Sequence, residues 1–523
     1  MAENSNKRWI SVFSVNTEAY KHFSETIWPL FKKGHVKTIL LFLLLFVSAF
    51  VATRWTNTSI MDVSKLRSFL PSNTISKTFK QSKERLEFPF NCSDVKLTKT
   101  CPATLSARSG THQNTNGSGS RSGEKCPHYF KWIHENLRPW TERGGITKEM
   151  VERGRPTANF RLLIVNGTVY VERYSPAFQT RDLFTWWGIL QMMRRYPGKL
   201  PDLDLMFDCD DQPVIRSDHY KGFFASAPPP LFRYCADDST LEIIFPDWSF
   251  WGWPEVNIKP WEPLKKQLRE GNNIVKWNKR EPYAYWKGNP YTSPNRQDLM
   301  KCSQNHDWNV RAYSQDWGKE SREGYKNSDL TKQCTHRYKI YVEGRGWSVS
   351  EKYILACNSM TLVVKPRYYD FFSRSLIPLK HYWPIKEHQD MCRSTKFAVD
   401  WGNTHQKEAQ TIGNAGSKFV QEELKIENVY DYMFHLLNEY AKLLKYKPTI
   451  PEHAVKFCSE VMACPASGLV KQYMMETVVE DPSDTEPCTM PPPFDPTTLK
   501  AFLSEKENSM KQVETWEHQN QKH

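Results

Sequence analysis

The sequence predicts an α/β fold in which parallel strands deliver the functional loops, and three stretches lead to that expectation. Residues 336–366 (HRYKIYVEGRGWSVSEKYILACNSMTLVVKP) read as a strand Tyr338–Val342, a turn at Gly344–Gly346, a helix from about Ser348 to Cys357 and a strand Met360–Val364. A strand–helix–strand unit of this kind implies parallel pairing and a right-handed crossover. Leu203–Phe207 is a short apolar strand that runs straight into the acidic sequence DCDD. Asp182–Tyr196 repeats apolar residues at helical spacing and stops at Pro197-Gly198.

The other elements follow in chain order. Order is expected from Cys126, with CPHYFKWIHENLRPW. RLLIVNGTVYVERY (161–174) places two β-rich runs around Asn166-Gly167, the signature of a tight hairpin. LEIIFPDWSFWGWP (241–254) reads as a buried strand followed by an aromatic loop. Tyr283–Trp286 is a strand entering the turn Lys287–Pro290. From Ser417 onward, apolar residues at 429, 432, 433, 436, 437, 440, 443 and 444 mark one face of a long amphipathic helix. After Pro448 the chain becomes Pro-rich and acidic, then ends in a polar tail.

With 523 residues, 39 % hydrophobic and 13 % aromatic, the chain can bury a substantial core. Its net charge of +13 is spread without a long Lys/Arg block, which suits a nucleotide diphosphate or acidic glycan better than nucleic acid. The 16 residues Thr38–Thr53 form the strongly apolar run. They span about 24 Å as a helix, enough to cross a thin membrane as a single transmembrane signal anchor. Lys32, Lys33 and Lys37 precede the run and only Arg54 lies close after it, which puts the N-terminus in the cytosol. All 12 cysteines follow it, as do the N-glycosylation sequons at Asn57, Asn91, Asn116 and Asn166. Both point to an oxidising lumen and to disulfides. The expected organisation is a cytosolic tail (1–37), an anchor (38–54), a flexible luminal stem (55–125), two catalytic domains (126–270 and 271–460) and a C-terminal extension (461–523). The short anchor suits the Golgi, with the endoplasmic reticulum as the alternative.

Four segments could carry chemistry. Asp208, Asp210 and Asp211 at a strand end allow a plain acidic turn, a Mg²⁺ or Mn²⁺ clamp for a nucleotide diphosphate, or a general base for an acceptor hydroxyl. The turn before the short helix, with Arg345, Gly346, Ser348, Ser350 and Lys352, offers backbone N–H groups, hydroxyls and charge to a phosphate. Lys287 and Arg296 bracket the turn WKGNPYTSPNR (286–296), placed to meet a diphosphate. PDWSFWGWP (246–254) is dense enough in rings to stack on a sugar, or to form a buried aromatic corner. Each segment also has an ordinary structural reading.

Taken in order, LPDLDLMFDCDDQP, IIFPDWSFWGWPEV, YWKGNPYTSPNR, YVEGRGWSVSEKYILACNSMTLVV and GNAGSKFV resemble the Rumi-type protein O-glucosyltransferases of glycosyltransferase family 90, over roughly residues 126–460. The DCDDQP form and the SVSEKYILACNS helix look like the plant branch. The resemblance implies a GT-B architecture, two Rossmann-like domains facing a cleft, and inverting, metal-independent transfer of glucose or xylose from UDP-glucose or UDP-xylose to a glycan or glycoprotein hydroxyl. It implies Asp211 as general base. Donor contacts fall on Asn289 and Arg296 and on Arg345, Gly346, Trp347, Ser348, Val349 and Ser350, beside Lys287 and Lys352, which their own charge offers to the donor's diphosphate. Acceptor contacts fall on Pro246, Asp247, Trp248, Ser249, Phe250 and Trp251. Animal members carry Arg where this chain has Ser350, and Arg where it has Asp210, which makes the surroundings of the base more acidic. The competing expectation is a catalytically inactive, glycan-binding module on the same fold.

Overall fold

The computed structural model describes Phe90, Cys92, Cys101 and residues 124–222 and 226–520. The apolar run Thr38–Thr53 and the sequons at Asn57, Asn91 and Asn116 lie outside these residues. Among the described residues no helix is long and apolar enough to cross a membrane.

Two sheets organise the described chain. The first comprises β1 (Phe160–Val165), β2 (Thr168–Arg173), β3 (Leu203–Phe207), β4 (Leu231–Arg233), β5 (Ile243–Ile244) and β11 (Val455–Phe457), in the order β11-β2-β1-β3-β4-β5. The second comprises β6 (Glu281–Gly288), β7 (Val310–Ser314), β8 (His336–Tyr341), β9 (Met360–Val364) and β10 (Trp383–Ile385), in the order β10-β9-β8-β6-β7. Every pairing in the second sheet is parallel, as the strand–helix–strand reading requires.

The first sheet departs from a Rossmann-like unit. Its β3-β4-β5 edge is parallel, but β1 pairs antiparallel with both β2 and β3, and β11 pairs antiparallel with β2. The cause is local. Asn166 and Gly167 both adopt positive φ (48° and 70°), closing a two-residue hairpin, and a parallel crossover needs a far longer connection. Asn166 is exposed on that turn.

Helices framing the sheets and the site include α1 (Arg181–Arg195), α2 (Pro294–Cys302), α3 (Glu351–Leu355), α4 (Met391–Thr404), α5 (Gln406–Lys418), α6 (Ile426–Leu443) and α7 (Pro496–Asn520). Two apolar cores form, one per sheet. The long amphipathic helix expected in the second domain is α6, and its buried Val429, Tyr432, Met433, Leu436, Leu437 and Tyr440 belong to the first core. The chain therefore returns to the first lobe from Ile426, well before residue 460. The final helix bridges the two: Phe502 packs near Trp132 of the first core, whereas Val513 and Trp516 pack in the second, Trp516 beside Trp383 and Trp401.

Disulfides reinforce this return. Cys92–Cys464, Cys101–Cys458 and Cys126–Cys488 each span more than 350 residues, and Cys302–Cys392 and Cys334–Cys357 brace the second lobe. Cross-links over such separations remove much of the unfolded chain's freedom. Full pairing of the cysteines does not occur. Cys209 and Cys235 are buried free thiols, packed under the acidic loop against the Tyr234 hydroxyl and the Asp211 carbonyl.

The aromatic segment is largely core rather than a sugar platform. Phe250 and Trp251 are fully buried, and Pro246, Asp247 and Ser249 are buried with them. The Trp251 ring lies over Gly188 of α1, where a Cβ would come within 2.6 Å of it, and its Nε1 donates to the Tyr430 hydroxyl at 3.0 Å. A helix glycine here is the condition for that close packing. Trp251→Ala is expected to cost about 3–5 kcal/mol of stability, seen as a lower thermal-unfolding midpoint. An unaltered midpoint would place the ring on a surface instead.

Candidate functional site

A cavity of about 630 Å³ opens between loops of the two sheets. From the first lobe come the end of the acidic loop, the start of α1 and Trp248; from the second come the β6 turn, the loop after β8 and the start of α3. Strand ends feed loops toward this cleft, the usual ligand position in open α/β sheets.

The acidic loop sorts its three carboxylates by environment. Asp208 is buried, ion-paired with buried Arg233, and accepts the Asp210 N–H at 2.9 Å. Burial pushes its pKa up while Arg233 pulls it down. Asp210 is exposed at the cavity. Asp211 keeps a carboxylate 32 % exposed on the cavity wall, with Oδ1 2.9 Å from a guanidinium nitrogen of Arg181. Arg181 opens α1, is itself buried, donates to the Cys209 carbonyl at 2.9 Å and lies 4.5 Å from the centre of the Trp248 ring. Of the six residues expected to face the acceptor, Trp248 is the one that lines the cavity.

The β6 turn and α2 place Arg296. Asn289 closes the turn by accepting the Tyr291 N–H at 2.9 Å, and the Ser293 hydroxyl caps α2, with Pro294 at its first position. Arg296 then donates to the carbonyls of Asn289 (3.1 Å), Val342 (3.2 Å) and Glu343 (3.1 Å) and to the Ser348 hydroxyl (3.2 Å). It thus pins the β6 turn to the loop after β8. Burial lowers its pKa to about 10, so it stays charged at neutral pH. Among the described residues it pairs with no carboxylate, which leaves that charge available to an anion. The hydroxyls of Ser348 and Ser350 meet at 2.8 Å beside it. Arg345, exposed and without an ion pair among the described residues, lines the same wall with Val349, while Lys287 lines the rim and donates to the Asn327 carbonyl.

Two expected donor contacts are corrected. Lys352 points into protein, 2.7 Å from the Ser249 hydroxyl and 3.4 Å from the Asp247 carboxylate, and does not line the cavity. Helix α3 has only five residues, and its packed face turns Lys352 toward the aromatic segment. Gly346 is also off the cavity. Its backbone lies so close to the Asp211 carbonyl that a Cβ would overlap it, and Gln212 donates to the Arg345 carbonyl at 2.9 Å alongside. The close approach that glycine permits is loop against loop, not backbone against ligand.

Further polar groups on the cavity wall are left open. Arg181 Nε, Trp248 Nε1, Gln315 Nε2, Trp347 Nε1 and the Tyr353 hydroxyl are buried without a protein partner, and all five residues line this cavity. Buried polar groups are nearly always satisfied, so donors left open around one cavity mark a place where a polar ligand supplies the acceptors. Arg181 and Gln315 escape sequence reading because no quoted motif contains them, and Tyr353, although inside the motif around the short helix, reads there as an ordinary apolar helix position. Among the described residues, the grouping with metal-ligand chemistry is Cys126, His435 and Cys488, and its two cysteines are already joined in a disulfide.

A carboxylate on one lobe lies across a cleft between α/β sheets from cationic and hydroxyl donors on the other. The profile of "Glycosyl transferase family 90" matches residues 121–517, and the chain belongs to that family: it is a glycosyltransferase. It is 26 % identical over 335 residues to the "O-glucosyltransferase rumi homolog" of Aedes aegypti, covering 62 % of this chain and 80 % of that one. It is 25 % identical over 343 residues to "Protein O-glucosyltransferase 1" of Homo sapiens, covering 63 % and 83 %. Among solved structures, the "Crystal structure of Anabaena Alr3699/HepE in complex with UDP and glucose" aligns with a TM-score of 0.24 and 8 % identity over 33 % of this chain and 52 % of that one, too weak a likeness to support a conclusion.

Gly346→Ala is expected to push the two loops apart and lower transfer by about 10²-fold, the scale of an ångström-sized misplacement. The thermal midpoint should fall as well, because the obstructing atoms are backbone, so transfer is measured well below it. Full activity in this variant would show that the loops need not touch.

Proposed function

We propose that this glycosyltransferase moves glucose or xylose, with inversion, from a UDP-sugar to a hydroxyl of a protein or cell-wall glycan in the secretory-pathway lumen. The observation that carries the reading is the placement of the Asp211 carboxylate opposite the Arg296–Ser348–Ser350 group in one cleft. Two lobes meeting at such a cleft correspond to the GT-B arrangement. Disulfides throughout the described chain support an oxidising compartment, and a membrane anchor at 38–54 fits it.

Arg181 holds Oδ1 of Asp211 and leaves the other oxygen for the acceptor. The acceptor hydroxyl loses its proton to Asp211 as its oxygen bonds to the anomeric carbon, and the bond from that carbon to the UDP oxygen breaks. Arg296, Arg345 and the serine hydroxyls stabilise the negative charge that collects on departing UDP. Asp208 is committed to Arg233, so a two-aspartate metal clamp would have to break a buried ion pair, and the cationic cradle takes the counter-charge role without metal.

The test uses Asp211→Asn. UDP affinity should stay near wild type while transfer falls roughly 10²- to 10⁴-fold, and EDTA should leave wild-type transfer unchanged. Wild-type rates in the variant overturn the base assignment, and loss of activity in EDTA restored by Mn²⁺ returns the metal reading. Release of UDP from none of UDP-glucose, UDP-xylose or UDP-galactose, beside measurable glycan binding, would favour an inactive binding module.

A further inference from the structure

The first-lobe wall of the cleft holds more polar groups than one reacting hydroxyl can use. Asp210, beside the base in sequence, is exposed at the cavity, and among the described residues its carboxylate has no hydrogen-bond or ion-pair partner. Two donors on the same wall are also open. They are Arg181 Nε and Trp248 Nε1, on residues 5 % and 1 % exposed. The Arg181 guanidinium lies between two rings, 4.5 Å from the centre of Trp248 and 5.1 Å from that of Phe178. Phe178 nevertheless stays 60 % exposed at the cavity. Gln179 follows it at a positive φ of 58°, and its Oε1 accepts the Trp253 indole N–H at 2.7 Å. That bond engages the amide oxygen and leaves the Nε2 donors to the same cavity.

The mixture of groups selects the ligand. Arg181, Trp248 and Gln179 offer donors, whereas Asp210 offers acceptors alone. A phosphate or carboxylate would satisfy the donors but be opposed by Asp210 and Asp211. An ammonium would satisfy the carboxylates and leave the donors unfilled. A hydroxyl donates and accepts on one atom, so several hydroxyls on one ring satisfy the whole set. The exposed face of Phe178 adds an apolar surface for the C–H side of such a ring. A serine or threonine side chain brings a single hydroxyl, which Asp211 takes.

Resting on the glycosyl-transfer reading above, we infer that Phe178, Gln179, Arg181, Asp210 and Trp248 form a subsite for a sugar ring of the acceptor, and that Asp210 selects a neutral sugar over an acidic one. The acceptor is then a glycan, and the hydroxyl that meets Asp211 belongs to a ring already held by its other hydroxyls. A uronic acid in the same place would bring its carboxylate against two others, which is a penalty that a neutral ring avoids.

Calorimetry on the purified full chain, saturated with UDP, would compare tetrasaccharides of glucose, xylose, galactose and mannose with those of glucuronic and galacturonic acid and with a glycine-rich peptide containing one serine. At least one neutral tetrasaccharide should bind, about tenfold or more tighter than either acidic one, a difference of about 1.4 kcal/mol. Asp210→Asn keeps the shape and removes the charge, so it should close that ratio by about tenfold while UDP affinity holds. Phe178→Ala, at an exposed ring, should weaken the neutral tetrasaccharide by about tenfold. Binding of no neutral tetrasaccharide overturns the subsite, as does binding of the peptide alone, which would make the acceptor a protein. An unchanged neutral-to-acidic ratio in Asp210→Asn overturns the selecting role, and unchanged affinity in Phe178→Ala removes the ring from the subsite. Absence of wild-type binding to UDP would instead defeat the donor reading itself.

Discussion

Everything at the cleft depends on one steric condition: the backbone of Gly346 rests against the carbonyl of Asp211, with no space between them for a Cβ. That contact sets the register of the acidic loop against the loop after β8. Gln212 reaching the Arg345 carbonyl and the Cys235 thiol on the Asp211 carbonyl hold the same junction from either side. Beneath it, Lys352 of the second lobe is buried against Asp247 and Ser249 of the first. A buried pair of this kind adds little net stability, but breaking one partner is costly, so it acts as a registry pin between the lobes.

The site is then a matter of which charges are spent and which are left open. Asp208 and Arg233 satisfy each other, as do Lys352 and Asp247, and these pairs build the walls. Arg296 spends its N–H groups on carbonyls and a hydroxyl, which fixes its position without cancelling its charge. Arg181 fixes Asp211 while stacked on Trp248. The cleft is consequently braced from within, and its unsatisfied donors sit on residues that line it. Such donors destabilise the empty protein modestly, and their compensation comes with binding.

Much of the architecture was readable from local pattern. Strand Leu203–Phe207, strand Met360–Val364 and the Asn166-Gly167 hairpin fall where alternation and turn chemistry put them. Segments defined by what they touch at long range were read less well. Phe250 and Trp251 have the composition of a sugar platform, but Gly188 on a distant helix makes room for Trp251 in the core, where Phe250 packs against Trp261 and Phe371. Lys352 follows a phosphate-like turn, yet its short helix rolls it toward Asp247. The amphipathic stripe of α6 shows that the helix has an apolar face without telling which of two cores receives it.

Local chemistry therefore specified the elements, the parallel second sheet, and the ordered motifs that place the chain in its family, because periodicity, turns and motif spacing act within a few dozen residues. The membership of the site came from packing. Arg181 and Asp211 are 30 positions apart, and Asp211 and Gly346 sit on different lobes. Proximity between such groups is a property of how two sheets meet, and no single stretch of the sequence contains it.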